Sequence, residues 1–359
     1  MEQRKYTDEE RQIYEKDPIV HLEHRKALES AFNGMFSIFI ANSELQQAVH
    51  ANMTQTMKDA LNNEKLENVI IPKWAVGCRR FTPGINYLET LGKENVDVVY
   101  GQVKEITENG CIGPDDQEYT LDVLICATGF DNSYRPRFPI IGQKGVNLAD
   151  AWAKEATSYF GLAAADFPNY FMYIGPNSPV GNGPLLCYMG EYTSRGTLWT
   201  FSHIFSLSEG ATDYMLKLID RWQTENIHSL TPKKEAIEDF VDHTNKFMKS
   251  TVWQQECSSW YKKNSVSGRV TALWPGSTMH CLEALDQPRY DDWDVKYNGN
   301  RFSYLGNGFS QTEVDMTADW AYYVRNEDDG PYLSRGKRRK AITKSGTVYH
   351  STEKSDTWL

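Results

Sequence analysis

Several things are scarce in this chain of 359 residues, and each scarcity excludes something. No apolar run approaches the ~20 residues that a helix needs to cross a bilayer. The opening residues Met1-Glu2-Gln3-Arg4-Lys5 are charged and lead into no apolar signal core, so a soluble, cytoplasmic protein is expected. Basic residues do not dominate: 38 Lys and Arg stand against 48 Asp and Glu, a net charge of −10. That balance argues against general nucleic-acid binding, which relies on clustered Lys and Arg. There are only six cysteines (Cys78, Cys111, Cys126, Cys187, Cys257, Cys281), far apart and with no CxxC pair. Such a set resembles neither a zinc site nor a small disulfide scaffold, and reduced thiols are the default expectation. His21 and His24 share a helical spacing but have no third ligand type nearby, so no metal is expected.

Aromatics, by contrast, are plentiful. Ten Trp and twenty Tyr make a disordered chain implausible, and the length permits two lobes with a substantial core. Residues 8–32 carry mixed charge at spacings suited to exposed helices, interrupted at Pro18. Asn42 or Ser43 can cap a following helix, in which Leu45, Val49, Met53, Met57 and Leu61 form an apolar stripe, read as a packing face beside His50.

After Pro72 the texture changes. Asn95 to Tyr100 reads as a strand that Val103 to Ile106 continue. Asn109-Gly110 and Gly113-Pro114-Asp115-Asp116 read as turns. Tyr119 to Cys126 completes a β-meander as a strand buried on both faces, ending in Ala127-Thr128-Gly129. A short helix is expected near Leu148 to Lys154. Phe167 to Pro176 reads as another buried strand ending in Gly, and Asn177 to Gly183 as a loop. Two buried strands with Gly-rich ends suggest an α/β sheet that binds a ligand at the strand ends. Residues 211–228 and 233–250 read as amphipathic helices, 257–308 as irregular and aromatic, and 311–359 as a polar tail. The basic run Arg335 to Lys340 reads as solvated.

Gly77-Cys78-Arg79-Arg80 followed by Phe81-Thr82-Pro83-Gly84 is unusual. Neighbouring side chains on extended backbone point opposite ways, so the two guanidinia serve different partners, surface ion pairs and a phosphate both being open.

Taken with Tyr87-x-Glu89-Thr90, the strand ending Ala127-Thr128-Gly129-Phe130, Phe167 to Phe171 with Gly175 to Pro179, and Cys257-Ser258-Ser259-Trp260-Tyr261, this segment resembles the flavin-containing monooxygenases, most closely the Baeyer–Villiger type. The resemblance runs from residue 6 to about 310. It implies an α/β fold, part of a two-dinucleotide-binding-domain (Rossmann-like) flavoprotein with added helices and a small β-meander. The expected domains are a helical region (1–72), the remaining part of an NADP-type domain with the meander (73–130), the C-terminal part of an FAD-type domain (131–310) and the tail (311–359).

The resemblance further implies FAD and NADPH as cofactors. It implies a ketone or aldehyde with O2 as reactants, and insertion of oxygen to give an ester or lactone, in secondary metabolism. Arg80 takes the place of the catalytic arginine, a fixed cation for the flavin peroxide and the developing oxyanion. Arg79 falls where the NADP 2′-phosphate is met, Ala127, Thr128 and Gly129 where the two domains join beside the cofactors, and Asn177 and Ser178 in the loop near the flavin. Trp260 and Trp274 lie on the substrate side, core packing being an equal reading for both.

The chain also departs from that family. The Gly-x-Gly-x-x-Gly phosphate loops are absent, since neither Gly181-Asn182-Gly183 nor Gly306-Asn307-Gly308 is completed by a third glycine at the required step. Both phosphate-binding half-domains are therefore expected to be missing. A stretch between Leu186 and Asp213, including Tyr192 to Trp199, matches nothing in the family and is an insertion or a translated intron. The alternative function is a truncated non-catalytic remnant or accessory subunit, with a separate N-terminal half as its partner.

Overall fold

The computed structural model describes residues 5–81, 84, 86–182, 202–321 and 324, with only the backbone of 202–209 and 311. The basic run at 335–340 and most of the unmatched stretch after Leu186 lie outside the described residues. The chain forms two compact units, one of residues up to 223 with 227–296, the other of 224–226 with 297 onward.

The N-terminal helices follow from local chemistry. Helix α1 (Asp8–Lys16) opens on a capping box: Thr7 Oγ1 accepts from the Glu10 amide at 3.2 Å, while the Thr7 amide donates to the Glu10 carboxylate at 2.9 Å. Helix α2 (Pro18–Asn33) starts with Pro18 in its first turn, where the missing N–H costs nothing, and Asp17 caps it. Helix α3 (Glu44–Leu61) is capped by Ser43 and ends at Asn62, a left-handed residue. Its expected stripe is only partly a packing face. Leu61 is buried and Val49 packs against the core, but Leu45 and Met53 are exposed. A strict four-residue repeat drifts around a 3.6-residue helix, and the buried position is taken by Gln46. Helices α4 (Glu64–Ile70) and α5 (Tyr87–Leu91) follow.

The meander is shorter than expected. Strands β1 (Glu105–Ile106), β2 (Gly110–Ile112) and β3 (Glu118–Thr120) pair antiparallel in that order, with Gly110 opposite Thr120. The expected strand from Tyr119 to Cys126 stops at Thr120, because β2 offers no ladder beyond Gly110. The last cross-strand bond is Leu121 N–H to the Asn109 carbonyl, 3.0 Å. From there the apolar run forms no strand and is exposed: Val123 is 74 % exposed, Ile125 85 % and Phe130 92 %. Asn95 to Tyr100 likewise forms no strand, and Tyr100 is exposed.

Helix α6 (Leu148–Ala151) anchors a small core of Leu148, Trp152, Ala156, Ala164 and Phe167. Phe167 to Pro176 is not a strand. Asn169 and Ile174 adopt positive φ, which breaks extended backbone, and only an isolated bridge joins Ala163 to Phe171. Helix α7 (Ser202–Thr224) and helix α8 (Lys234–Met248) enclose strand β4 (Ile227–Pro232), which pairs with β5 (Trp293–Tyr297) after helix α9 (Thr278–Leu285). Helix α10 (Gln311–Val314) belongs to the other unit.

The larger core cluster gathers Ile38, Phe39, Met248, Val252, Trp253, Tyr261, Val270, Ala272 and Leu273. Contrary to the expectation of reduced thiols, Cys78 and Cys257 are joined by a disulfide, with Cα atoms 6.4 Å apart. Folding brings these two buried residues within bridging distance, which their sequence separation hides. Cys111, Cys126 and Cys281 are free.

Candidate active site around Arg80

The site begins at Gly77. Its φ is +90°, and a Cβ there would lie 2.7 Å from the Phe39 ring, so only glycine lets the chain press onto that ring. The next residue, Cys78, is bonded to Cys257. Upstream, Gln46 of α3 accepts from the Val76 amide at 3.2 Å and donates to the Val76 carbonyl at 2.7 Å and to the Ile38 carbonyl. The Ala75 amide donates to Gln255 Oε1 at 3.0 Å. The segment entering the two arginines is thus fixed by a ring, a side-chain amide and a covalent bond.

From this anchor the arginines diverge. Arg79 is exposed, whereas Arg80 is half-buried, with its charge near the phenol of buried Tyr261. Burial pushes the Tyr261 phenol up from its ordinary value, and the neighbouring Arg80 charge pulls it partly back. Trp260 lies edge-on to Tyr261, ring centroids 4.9 Å apart. Lys262, also buried, donates to the carbonyls of Gln255 and Val266, and desolvation lowers its pKa.

The loop from Gly175 to Asn182 is held as firmly. Asn177, at positive φ, donates to the carbonyls of Val270 and Leu273, each at 3.0 Å, and accepts from Arg269 at 3.2 Å. Its side chain is therefore spent on fixing the 269–273 segment. Ser178 packs onto Gly161, where a Cβ would meet the Ser178 Cβ at 2.0 Å. Gly181 rests on the Trp253 indole, with 2.1 Å left for a Cβ. Trp253 stacks on Phe39 at 5.4 Å. Gly77 and Gly181 thus lie against one aromatic floor, made by Phe39 and Trp253.

Trp260 thus packs on the core cluster, Asn177 bonds to its Val270 and Leu273, and Arg80 lies near its Tyr261, whereas Ser178 packs on Gly161 and Arg79 is exposed. Trp274 is buried, its indole donating to His280 at 3.1 Å and its face meeting Phe160 at 5.4 Å. Ala127, Thr128 and Gly129 are exposed on the irregular run after β3. Gln46, Trp253, Tyr261 and the disulfide were not singled out from sequence as partners of the arginines. Only Cys78, adjacent to Arg79, carried any local signal. Among the described residues no group of His, Cys, Asp or Glu is arranged to hold a metal ion, and no helix is long and apolar enough to cross a membrane.

No family model matches the chain. Individual relatives do. The FAD-binding monooxygenase moxY of Dothistroma septosporum is 39 % identical over 308 residues, which is 86 % of this chain and 46 % of the relative. The FAD-binding monooxygenase stcW of Emericella nidulans is 36 % identical over 309 residues, 86 % of this chain and 48 % of the relative. A Baeyer–Villiger monooxygenase of Pseudomonas aeruginosa is 27 % identical over 277 residues, 77 % of this chain and 49 % of the relative. Among solved structures, cyclohexanone monooxygenase from Rhodococcus sp. Phi1 bound to NADP+ superposes with a TM-score of 0.57 at 21 % identity, covering 72 % of this chain and 46 % of its own. An oxidised steroid monooxygenase bound to NADP gives 0.57 at 20 %, covering 73 % and 47 %. The chain spans about half the length of the curated relatives it matches. Its fold is a part of their Rossmann-like flavoprotein fold. By sequence and fold together, the chain is similar to about half of an FAD-binding monooxygenase, a Baeyer–Villiger monooxygenase being among the proteins it resembles.

Proposed function

We propose that this chain carries the catalytic cation and the floor of the active site of an FAD- and NADPH-dependent monooxygenase, of the Baeyer–Villiger type, that inserts oxygen into a ketone or aldehyde in secondary metabolism. One observation supports it above the others. Arg80 is half-buried, with its charge near Tyr261 of a disulfide-anchored aromatic core, while its neighbour Arg79 is exposed. A cation fixed beside a low-dielectric core is suited to meet negative charge that develops on oxygen during reaction, because it needs no reorganisation at that moment.

The residues present do not fit a whole dinucleotide. Neither Gly-Asn-Gly sequence is completed into a phosphate loop, Asn177 is already consumed by the protein, and Ala127 to Gly129 are exposed. On this reading, Arg79 meets a nucleotide phosphate, Asn177 and Ser178 shape the loop beside the flavin, Ala127, Thr128 and Gly129 form the inter-domain segment, Trp260 and Trp274 back the substrate side, and the phosphate cradles are supplied by residues outside these 359. FAD supplies the oxygen-activating chemistry when bound.

A second reading, a non-catalytic remnant or accessory subunit with a separate N-terminal half, is favoured by the exposed apolar run through Val123, Ile125 and Phe130. The visible spectrum of the purified chain, alone and joined to a nucleotide-binding half from a relative, separates the two. Flavin absorbance with NADPH consumption and ester formation from a cyclic ketone, abolished in Arg80→Ala with flavin retained, supports the enzyme. Flavin-loaded protein whose ester formation is unaffected by Arg80→Ala rejects the role given to Arg80, and a colourless protein in both forms leaves the accessory reading standing.

A further inference from the structure

The two ends of an asparagine carboxamide have nearly the same shape but opposite hydrogen-bond chemistry, so its partners decide which way it points. At buried Asn177 three partners agree. Arg269, which can only donate, offers Nη1 to Asn177 Oδ1 at 3.2 Å. The carbonyls of Val270 and Leu273, which can only accept, each take a proton of Asn177 Nδ2 at 3.0 Å. Turned over, the carboxamide would set its NH2 against a guanidinium and its oxygen against two carbonyls. The guanidinium is aimed in its turn: Nε donates to the Glu155 carboxylate and Nη2 to the Ala156 carbonyl at 3.4 Å. We propose that Arg269, aimed by Glu155, is a positioning residue that acts through Asn177 to fix the loop from Gly175 to Asn182; the proposal rests on the reading that puts this loop beside the flavin.

The loop needs such a hold because it bends where extended backbone would not. Asn177 has a φ of +57°, a left-handed conformation that its short polar side chain tolerates better than most. The Asn177 amide donates to the Thr271 carbonyl at 2.9 Å, so backbone and side chain of one residue grip the same 270–273 segment. The entry to the loop is held separately. Ser158 Oγ donates to the Pro176 carbonyl at 2.7 Å and accepts from the Gly161 amide at 2.9 Å, and the Gly175 amide donates to the Gly161 carbonyl at 3.0 Å. None of these bonds involves Arg269, whose influence enters at Asn177 and passes to Ser178. The bond to Asn177 is charge-assisted and the guanidinium is half-buried, so little water competes for it. Only a planar fork reaches Glu155, Ala156 and Asn177 together; a lysine ammonium gathers its donors at one nitrogen.

Amide hydrogen exchange in the purified chain, followed residue by residue by NMR, tests the proposal without any cofactor. Arg269→Ala is expected to speed exchange of the Asn177 amide roughly tenfold, the factor that one charge-assisted hydrogen bond sustains. The amide of Thr244, buried in the interior of α8, is the reference and is expected to change by less than about twofold, since local release leaves it protected whereas a general loss of stability speeds both. Arg269→Lys is expected to restore part of the protection. Equal acceleration of the two amides, or none at Asn177, overturns the proposal. Should Arg269→Ala not fold, Glu155→Gln decides, because it leaves the guanidinium in place: the side-chain amide resonances of Asn177 are expected to move, and unmoved resonances reject the aiming by Glu155. In flavin-loaded protein joined to a nucleotide-binding half from a relative, Arg269→Ala is expected to shift the flavin absorption band and to weaken flavin binding roughly tenfold. Loop release without any change at the flavin defeats the reading of the loop as flavin-side, and with it the role of Arg269; unmoved exchange at Asn177 defeats the positioning alone.

Discussion

Gln46 and Val76 satisfy one another completely: the Gln46 side-chain oxygen takes the Val76 amide, and its nitrogen donates to the Val76 carbonyl. Gln46 is buried on α3, and the same nitrogen also reaches the Ile38 carbonyl. One side chain thereby joins the helix, the Phe39 floor and the segment entering Cys78-Arg79-Arg80. Its removal leaves backbone polar groups buried without partners, which costs more than the bonds themselves. Gln46→Ala is expected to lower stability by about 2–4 kcal/mol, read from urea unfolding. Gln46→Glu, which cannot donate to either carbonyl while ionised, is expected to be no better at neutral pH and to recover as the carboxyl is protonated.

The disulfide should act on the same segment. Both cysteines are sealed from solvent, so reductant is expected to reach the bond only when the structure opens, and folded protein should resist mild dithiothreitol. Cys78→Ser and Cys257→Ser are each expected to cost about 2–5 kcal/mol, with the double variant no worse than either single one. Trypsin offers a local readout, since its targets Arg79 and Arg80 immediately follow Cys78. Cleavage there should accelerate in the variants well below their unfolding midpoints. Equal cleavage rates in native and variant protein would show that the bond does not restrain the arginines.

How much of this was legible in the sequence depends on how local each cause is. The helices α1 to α3 follow from Thr7, Asp17, Pro18 and Ser43, whose effects reach only a few residues. The different exposure of Arg79 and Arg80 was expected from extended backbone, but the chain turns at Gly77 and bends at Cys78 and Arg79, so simple alternation is not its cause. The strand expected from Tyr119 to Cys126 is a different case. Its apolar run satisfies every local criterion, but a buried strand needs neighbours, and β2 ends at Gly110. Phe167 to Pro176 misled because aromatic richness serves loop packing as well as strands, and Asn169 and Ile174 turn left-handed there. The partners of Arg80 were out of reach for another reason. Tyr261 is brought to it only by tertiary folding, and six cysteines allow 15 complete pairings, none preferred by spacing.

The exposed run after β3 has its own consequence. Val123, Ile125 and Phe130 present apolar surface and free backbone edges without a covering element among the described residues. Such a segment is expected to bind 8-anilinonaphthalene-1-sulfonate and to promote self-association. Ile125→Lys should reduce both, read by dye fluorescence and sedimentation velocity, while shifting the unfolding midpoint by less than about 0.5 kcal/mol. A large loss of stability in Ile125→Lys would mean that the residue is covered in solution.

Lys262 makes stability depend on pH in a direction that can be worked out. Its side chain is buried, and desolvation lowers its pKa from 10.5, with Glu256 opposing. Between the lowered folded value and the unfolded value the folded chain binds fewer protons than the unfolded one, so stability rises with pH across that window. Below the folded value the penalty of holding the ammonium out of water is present in full. The bonds to the Gln255 and Val266 carbonyls require donors, which a neutral amine still supplies. Urea midpoints measured from neutral pH up to pH 10.5 should therefore rise in the native protein relative to Lys262→Met, in which this contribution is absent. Lys262→Met also leaves two carbonyls without a donor, so its curve should lie lower throughout unless removal of the buried charge compensates. The difference in slope, not the offset, isolates the titration: parallel curves across that range would mean that Lys262 keeps the proton affinity of a solvated lysine despite its burial.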